Sequence, residues 1–401
     1  MYDLRYSRDI NSLLARDMNN FGIAIFIMGV SFSAQASDPD FSRHLSHIEQ
    51  LLSKDELTEA ASIAKALVAD NDEQAALHQR LLGYIYLSEG NYDRAYLAYT
   101  SALKYRKLPE SLRQDTLGAL VSLSMKRGKP EVAIQYSRMY LSGFPPYQPV
   151  EQLYTRALFA AQNYPEALKQ ANAVIAGYSD IPEFIWQIKA LSEEQLGQQR
   201  ALINTTRELQ QRFGEDIRWQ RKQAAALAYL GSARKALSIM EAVPSDVLTH
   251  NDYLDLARYA SRTGDPDAAI AWLNKGTEAR VVVVDRAVNK TRLEYKMQAA
   301  RWMDAWDIAS DLNKQPEIPL LKAQCKIASQ LQKWDAAAIL AQQAIDLGAH
   351  SDPFLWEILG YSAMKTHQLE LSRSAYLKLK QLDPEGEADI WLKTLDLIKT
   401  N

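Results

Sequence analysis

The sequence predicts an all-α fold made by repeating one helix–turn–helix unit about ten times. Three observations predict it. First, a small residue recurs with constant surroundings: Ala60, Ala95, Ala133, Ala167, Ala236, Ala269, Ala305 and Ala337, with Leu202 and Ser372 in the two remaining slots. Successive spacings are 35, 38, 34, 35, 34, 33, 36, 32 and 35 residues, a period that marks helical arrays. Second, neighbouring columns agree with this marker column. Four residues after it stand Ala64, Tyr99, Ser137, Ala171, Thr206, Met240, Leu273, Ala309, Ala341 and Tyr376, none of them charged, Gly or Pro. Third, no clear strands interrupt the pattern.

Each element of the unit has its own residues. The first helix carries a small residue twelve before the marker (Gly83, Ala224, Ala257, Cys325, Gly360), which lets paired helices approach closely. It ends at Gly90, Gly128, Gly197, Gly231 or Gly264, five before the marker, where a helix finishes in the left-handed conformation that Gly tolerates. An aromatic residue or Pro then opens the second helix: Tyr92, Pro130, Tyr164, Pro266, Trp302 and Trp334. Pro145 and Pro384 lie twelve after the marker, beyond the second helix, which Pro cannot continue. Such a hairpin buries its apolar face only against its neighbours, so the array is stable as a whole or not at all.

These columns resemble the tetratricopeptide repeat. The last unit matches through Trp356, Leu359, Gly360, Ala363, Ser372, Tyr376, Leu379 and Pro384. The stretch from Leu82 to Leu103 matches through Leu82, Gly83, Tyr86, Ala95, Tyr99 and Ala102. The resemblance implies a right-handed superhelical solenoid over 37–401. Its repeats start near 41, 76, 114, 148, 183, 217, 250, 286, 318 and 353, and a closing helix spans 387–399.

The resemblance also implies a non-enzymatic scaffold that binds another protein in a concave groove lined by the first helices. Their second, fifth, ninth, twelfth and thirteenth positions supply Arg218, Arg221, Arg258, Arg262, Lys290, Lys322 and Lys326 in units six to nine, against Glu294. Tyr84 and Leu87 lie toward one end, Phe159 and Tyr229 in the middle, Tyr361 and Met364 toward the other. The expected partner is therefore an extended acidic or carboxylate-bearing segment, held by charge-assisted hydrogen bonds with apolar contacts beside them. Asn251 is the one Asn among these positions, whereas the family's clamp for carboxyl-terminal tails pairs basic residues with Asn in adjacent first helices.

The amino terminus reads as an export signal. Phe21 to Phe32 (FGIAIFIMGVSF) is an apolar run followed by Ala34-Gln35-Ala36 and polar Ser37-Asp38, the order of an apolar core and a small-residue cleavage site after Ala36. The run is shorter than the roughly 20 residues a membrane span needs. Export to the bacterial periplasm and service in a cell-envelope complex are the expectation. Asp3, Asp9 and Asp17 offset Arg5, Arg8 and Arg16, so a cytosolic adaptor or regulatory sensor is the alternative.

Nothing in the chain carries recognisable catalytic chemistry. A phosphate-binding GxxxxGK[ST] loop, a GxGxxG turn and an HExxH helix are all missing from the sequence, so no enzyme, cofactor or metal is expected. His44 and His47 lack a third ligand nearby, and Cys325, the sole cysteine, occupies the small-residue column. The net charge of −3 argues against nucleic acid as a partner, because such binders carry a basic footprint. Arg280 to Val288 (RVVVVDRAV) has strand-like composition at a stretched junction. It reads as buried linker packing, with an edge that pairs with a partner strand as the alternative.

Overall fold

The computed structural model describes residues 39–400. The fold is an all-α helical-repeat solenoid with 21 α-helices and no strand among the described residues. The apolar run and its cleavage motif lie outside the described residues.

The chain divides into two compact units between Glu215 and Asp216. The first contains α1 (Pro39–Ser53), α2 (Leu57–Ala66), α3 (Asp72–Ser88), α4 (Tyr92–Lys104) and α5 (Glu110–Lys126). It continues with α6 (Pro130–Gly143), α7 (Gln148–Ala160), α8 (Tyr164–Gly177), α9 (Glu183–Gln195) and α10 (Gln199–Phe213). The second begins with α11 (Ile217–Tyr229), α12 (Ala233–Glu241), α13 (His250–Arg262), α14 (Pro266–Glu278) and α15 (Arg286–Gln298). Then come α16 (Trp302–Leu312), α17 (Ile318–Gln330), α18 (Trp334–Asp346), α19 (Pro353–Lys365), α20 (Leu369–Leu382) and α21 (Ala388–Thr400). Odd-numbered first helices pair with the even-numbered second helices that follow, and α21 packs on α20.

The marker column sits inside the hairpins. All eight marker alanines and Ser372 have no solvent exposure. Ser372 Oγ donates 2.7 Å to the carbonyl of Gly360, and Cys325 Sγ lies 3.9 Å from the carbonyl of Ala337. The column twelve residues earlier thus faces the marker across the hairpin. A methyl on Gly83 would lie 2.8 Å from Cγ and Cδ1 of Tyr99, closer than carbon atoms pack. The small residue here is set by a ring, not by a turn.

The connecting turns are all alike. In each of the ten hairpins the residue five before the marker has a left-handed backbone, with φ between 55° and 85°. The next N–H donates to the carbonyl five residues back, from Glu56 to Leu51 through Gln368 to Ala363, at 2.8–3.2 Å. This bond closes the helix end by satisfying a carbonyl that would otherwise lack a partner. Glycine fills the left-handed position five times; Asp55, Gln162, Ala300, Gln332 and His367 fill the other five.

The stretched junction between α14 and α15 is explained by one plug. Val282 is buried over Gly276, where an added methyl would come within 2.5 Å of it. Val281 packs beside it, while Val283 and Val284 point outward in a segment that forms no strand.

Candidate functional site

The groove positions of the second unit are charged, and the structure shows where those charges go. Arg221 in α11 grips Asp252 in α13 with two hydrogen bonds, Nε to Oδ1 at 2.8 Å and Nη2 to Oδ2 at 2.7 Å. Asp252 also accepts the backbone N–H and hydroxyl of Thr249, both at 2.7 Å, as the acidic member of a capping box. Burial pushes the Asp252 carboxyl up, but these bonds outweigh it and hold the group below the usual carboxylate range.

The same arrangement recurs two and three hairpins later. Glu317, the N-cap of α17, accepts Lys290 and Arg286, each at 2.8 Å. Those two cations hold its carboxyl low. Lys322 reaches Asp352, the N-cap of α19. In the first unit Arg80 of α3 reaches Asp115 of α5 at 3.2 Å. In each case a cation of one first helix meets an acid at the start, or within the first two turns, of the next first helix. Acids belong at helix N-termini because the unpaired N–H groups there favour negative charge. The cation then joins consecutive repeats.

Two more of the predicted cations are held locally. Arg218 folds onto its own N-cap Asp216, with Nε 2.8 Å from Oδ2. Arg258 pairs with Asp255 at 2.9 Å, one turn away on α13. Burial keeps Asp255 above the usual carboxylate range in spite of Arg258. Arg262 and Lys326 are exposed and have no ion-pair partner among the described residues. The structure therefore places five of the seven predicted cations against carboxylates. Reading the first helices alone missed Asp216, Asp252, Glu317 and Asp352; the available signal was an acid at the start of the same first helix for Arg218 and of the next first helix for Arg221, Lys290 and Lys322.

The predicted aromatic positions differ among themselves. Tyr229 is 70% exposed at the end of α11. Tyr84 is half-buried against the Ala95–Tyr99 cluster of the first unit. Tyr361 stands edge-on between Trp334 and Trp391, with ring centroids 5.3 and 5.4 Å away. The Lys365 ammonium sits 5.3 Å from its ring centre. Sequence reasoning did not find this cluster, because Trp391 arrives from the closing helix.

The other candidate groups are committed elsewhere. His44 Nδ1 lies 2.9 Å from the carbonyl of Asp40, one turn back, and His47 is exposed. Among the described residues no three His, Cys, Asp or Glu side chains converge as a metal site. Cys325 has no solvent exposure, and burial pushes its thiol up to about 12, so it holds no thiolate at neutral pH. No described helix is long and apolar enough to cross a membrane.

The profile of the tetratricopeptide repeat matches residues 81–107. No curated protein matches the chain. Among solved structures, the chain is similar to the C-terminal part of a TPR repeat-containing protein from Cytophaga hutchinsonii. Identity there is 16% and the TM-score 0.49, over 60% of this chain and 98% of that one. It is also similar to a tetratricopeptide repeat protein from Parabacteroides merdae, at 19% identity and TM-score 0.38, over 64% and 98%. Against the Naa15/Naa10 structure bound to HypK-THB the values are 14% and 0.41, and this chain covers 62% of that one's length.

Proposed function

We propose that this chain, a member of the tetratricopeptide-repeat family, is a non-enzymatic scaffold holding an extended segment of another protein along the first helices of its second unit. The observation that carries the reading is that Arg262 and Lys326 are exposed and, alone of the seven predicted cations, have no ion-pair partner among the described residues. Arg221, Lys290 and Lys322 join repeats, Arg218 and Arg258 are held within their own repeats, and these two remain available for a carboxylate. Tyr229 offers an exposed aromatic surface on the same row of positions. A partner segment bearing acidic side chains fits this pattern, with charge-assisted bonds supplying register and apolar contacts supplying area.

The partner is sought by affinity capture with the full chain and with the Arg262→Glu, Lys326→Glu variant. Loss of the captured protein from the variant, and weakening of its binding as salt rises, are expected. Binding indifferent to both the reversal and the salt overturns the acidic-segment reading.

Export to the periplasm and a role in assembling an envelope complex belong to the same proposal, supported by the order of Phe21–Phe32 and Ala34-Gln35-Ala36. The acids among Asp3, Asp9 and Asp17 favour the cytosolic alternative. Sequencing the first residues of the mature chain separates the two: Ser37 supports export, and a retained Met1 or Met18 supports the cytosolic adaptor.

A further inference from the structure

The closing helix carries an exposed apolar face that its packing does not explain. Ala388 and Leu395 turn inward and are buried with Tyr376 and Leu379 of α20. On one flank Asp389 and Asp396 pair with Lys380 and Arg373 of α20. On the other flank Trp391 meets Tyr361, a predicted groove residue of α19, and stacks on Tyr376 at 5.9 Å. Ile390, Leu397 and Ile398 stand 61%, 68% and 43% exposed on the remaining face. A terminal helix that only seals an array has a polar outer face. This one is polar on the flank beside the α20 cations and apolar away from it.

The helical wheel fixes what that face continues. Ala388 and Leu395, seven apart, take the inward place that Leu355 and Ser362 take in α19. Counting from them, Ile390, Leu397 and Ile398 fall at the fifth, twelfth and thirteenth positions, those that line the groove in the preceding first helices. Ile398 falls next to Trp391 on the wheel, so the contact of Trp391 with Tyr361 places that edge of the apolar face beside the groove.

We propose that this apolar lip is the end of the partner site, and that it seats one or two large apolar side chains of the same extended, acidic segment. The proposal rests on the scaffold reading above. Lys326 on α17 lies two first helices before α21; α17 touches α19, and α19 meets α21 through Tyr361 and Trp391. At about 10 Å per step the gap is roughly 20 Å, which an extended chain covers in about six residues. The segment that fits therefore carries an acidic residue about six positions from its apolar anchor.

A random dodecapeptide phage library, panned on the full chain, supplies the probes. Enriched peptides are synthesised and measured against the wild type, Ile390→Ser with Leu397→Ser, and Lys326→Glu. Expected are peptides with an acid four to eight residues from a large apolar residue. The double serine variant weakens them about tenfold or more, and the charge reversal weakens them separately. Both serine substitutions lie on exposed side chains, and an unchanged melting temperature confirms an intact fold. Peptides weakened by Lys326→Glu but indifferent to the serine variant overturn the lip while leaving the groove standing. Peptides indifferent to both, or no enrichment at all, overturn the groove and the lip together. A wild-type chain that sediments as a dimer, with the serine variant a monomer, assigns the lip to a second copy and overturns the peptide occupant.

Discussion

Ala300→Gly is expected to stabilise the second unit, and the reasoning is checked by its mirror image, Gly264→Ala. Both residues occupy the left-handed position that ends a first helix, with φ of 55° at Ala300 and 85° at Gly264. An L-residue with a Cβ is disfavoured there by about 1–2 kcal/mol. Glycine in turn leaves the unfolded chain freer, which returns about 0.4–1 kcal/mol. The difference predicts that Ala300→Gly gains about 0.5–1 kcal/mol. The Ala300 side chain is exposed, so no packing is lost. At Gly264 an added methyl meets nothing within 4 Å, so Gly264→Ala loses a similar amount through the backbone alone. For a unit of this size each change shifts the melting midpoint by about 1–4 °C. Thermal melts and urea titrations of the full chain, read by circular dichroism, measure both. A lower midpoint for Ala300→Gly, or an unchanged one for Gly264→Ala, refutes the argument that backbone conformation governs this column.

Other predictions follow from the packing and charge. Gly83→Leu forces a side chain into the Tyr99 ring and is expected to destabilise by about 1–3 kcal/mol or more; the urea midpoint measures it, and no shift contradicts the close approach. Arg221→Met leaves Asp252, only 4% exposed, as a buried charge without its cation, an expected loss of about 3 kcal/mol by urea titration. Replacing both partners by apolar residues recovers most of it. The Asp252 carboxyl is lowered in the folded chain. Its stabilisation is therefore complete above the unfolded value near 3.9 and disappears as pH falls through the lower folded value. Urea midpoints between pH 6 and pH 2 fall less steeply in Asp252→Asn than in the wild type. Cys325, with its thiol pushed up to about 12 by burial, resists maleimide in the native chain and reacts in urea, as mass spectrometry reports.

Steric columns were legible in the sequence, and long-range charge pairs were not. The marker column was readable because close helix contact admits small side chains there: Ala95, Ala236 and Ala337 have no exposure. Half of the turn column was hidden. Gly90 or Gly231 announces a left-handed residue, but Gln162 and His367 adopt it because the closing hydrogen bond of the turn imposes it. Arg221 and Lys322 read as a free basic row because their acids lie 31 and 30 residues later, at the next helix start. A listing of one helix at a time cannot pair them. The apolar lip was equally hidden, since only the contact of Trp391 with Tyr361 fixes which way the closing helix faces.

The scaffold reading is tested most directly by photo-crosslinking from two faces of the second unit. A benzoylphenylalanine is placed at Tyr229, 70% exposed on a first helix, or at Ile339, 59% exposed on a second helix. The account predicts one discrete protein adduct from position 229, abolished by Arg262→Glu with Lys326→Glu, and none of that size from position 339. An adduct from position 339 alone, or one from 229 that survives the charge reversal, contradicts it.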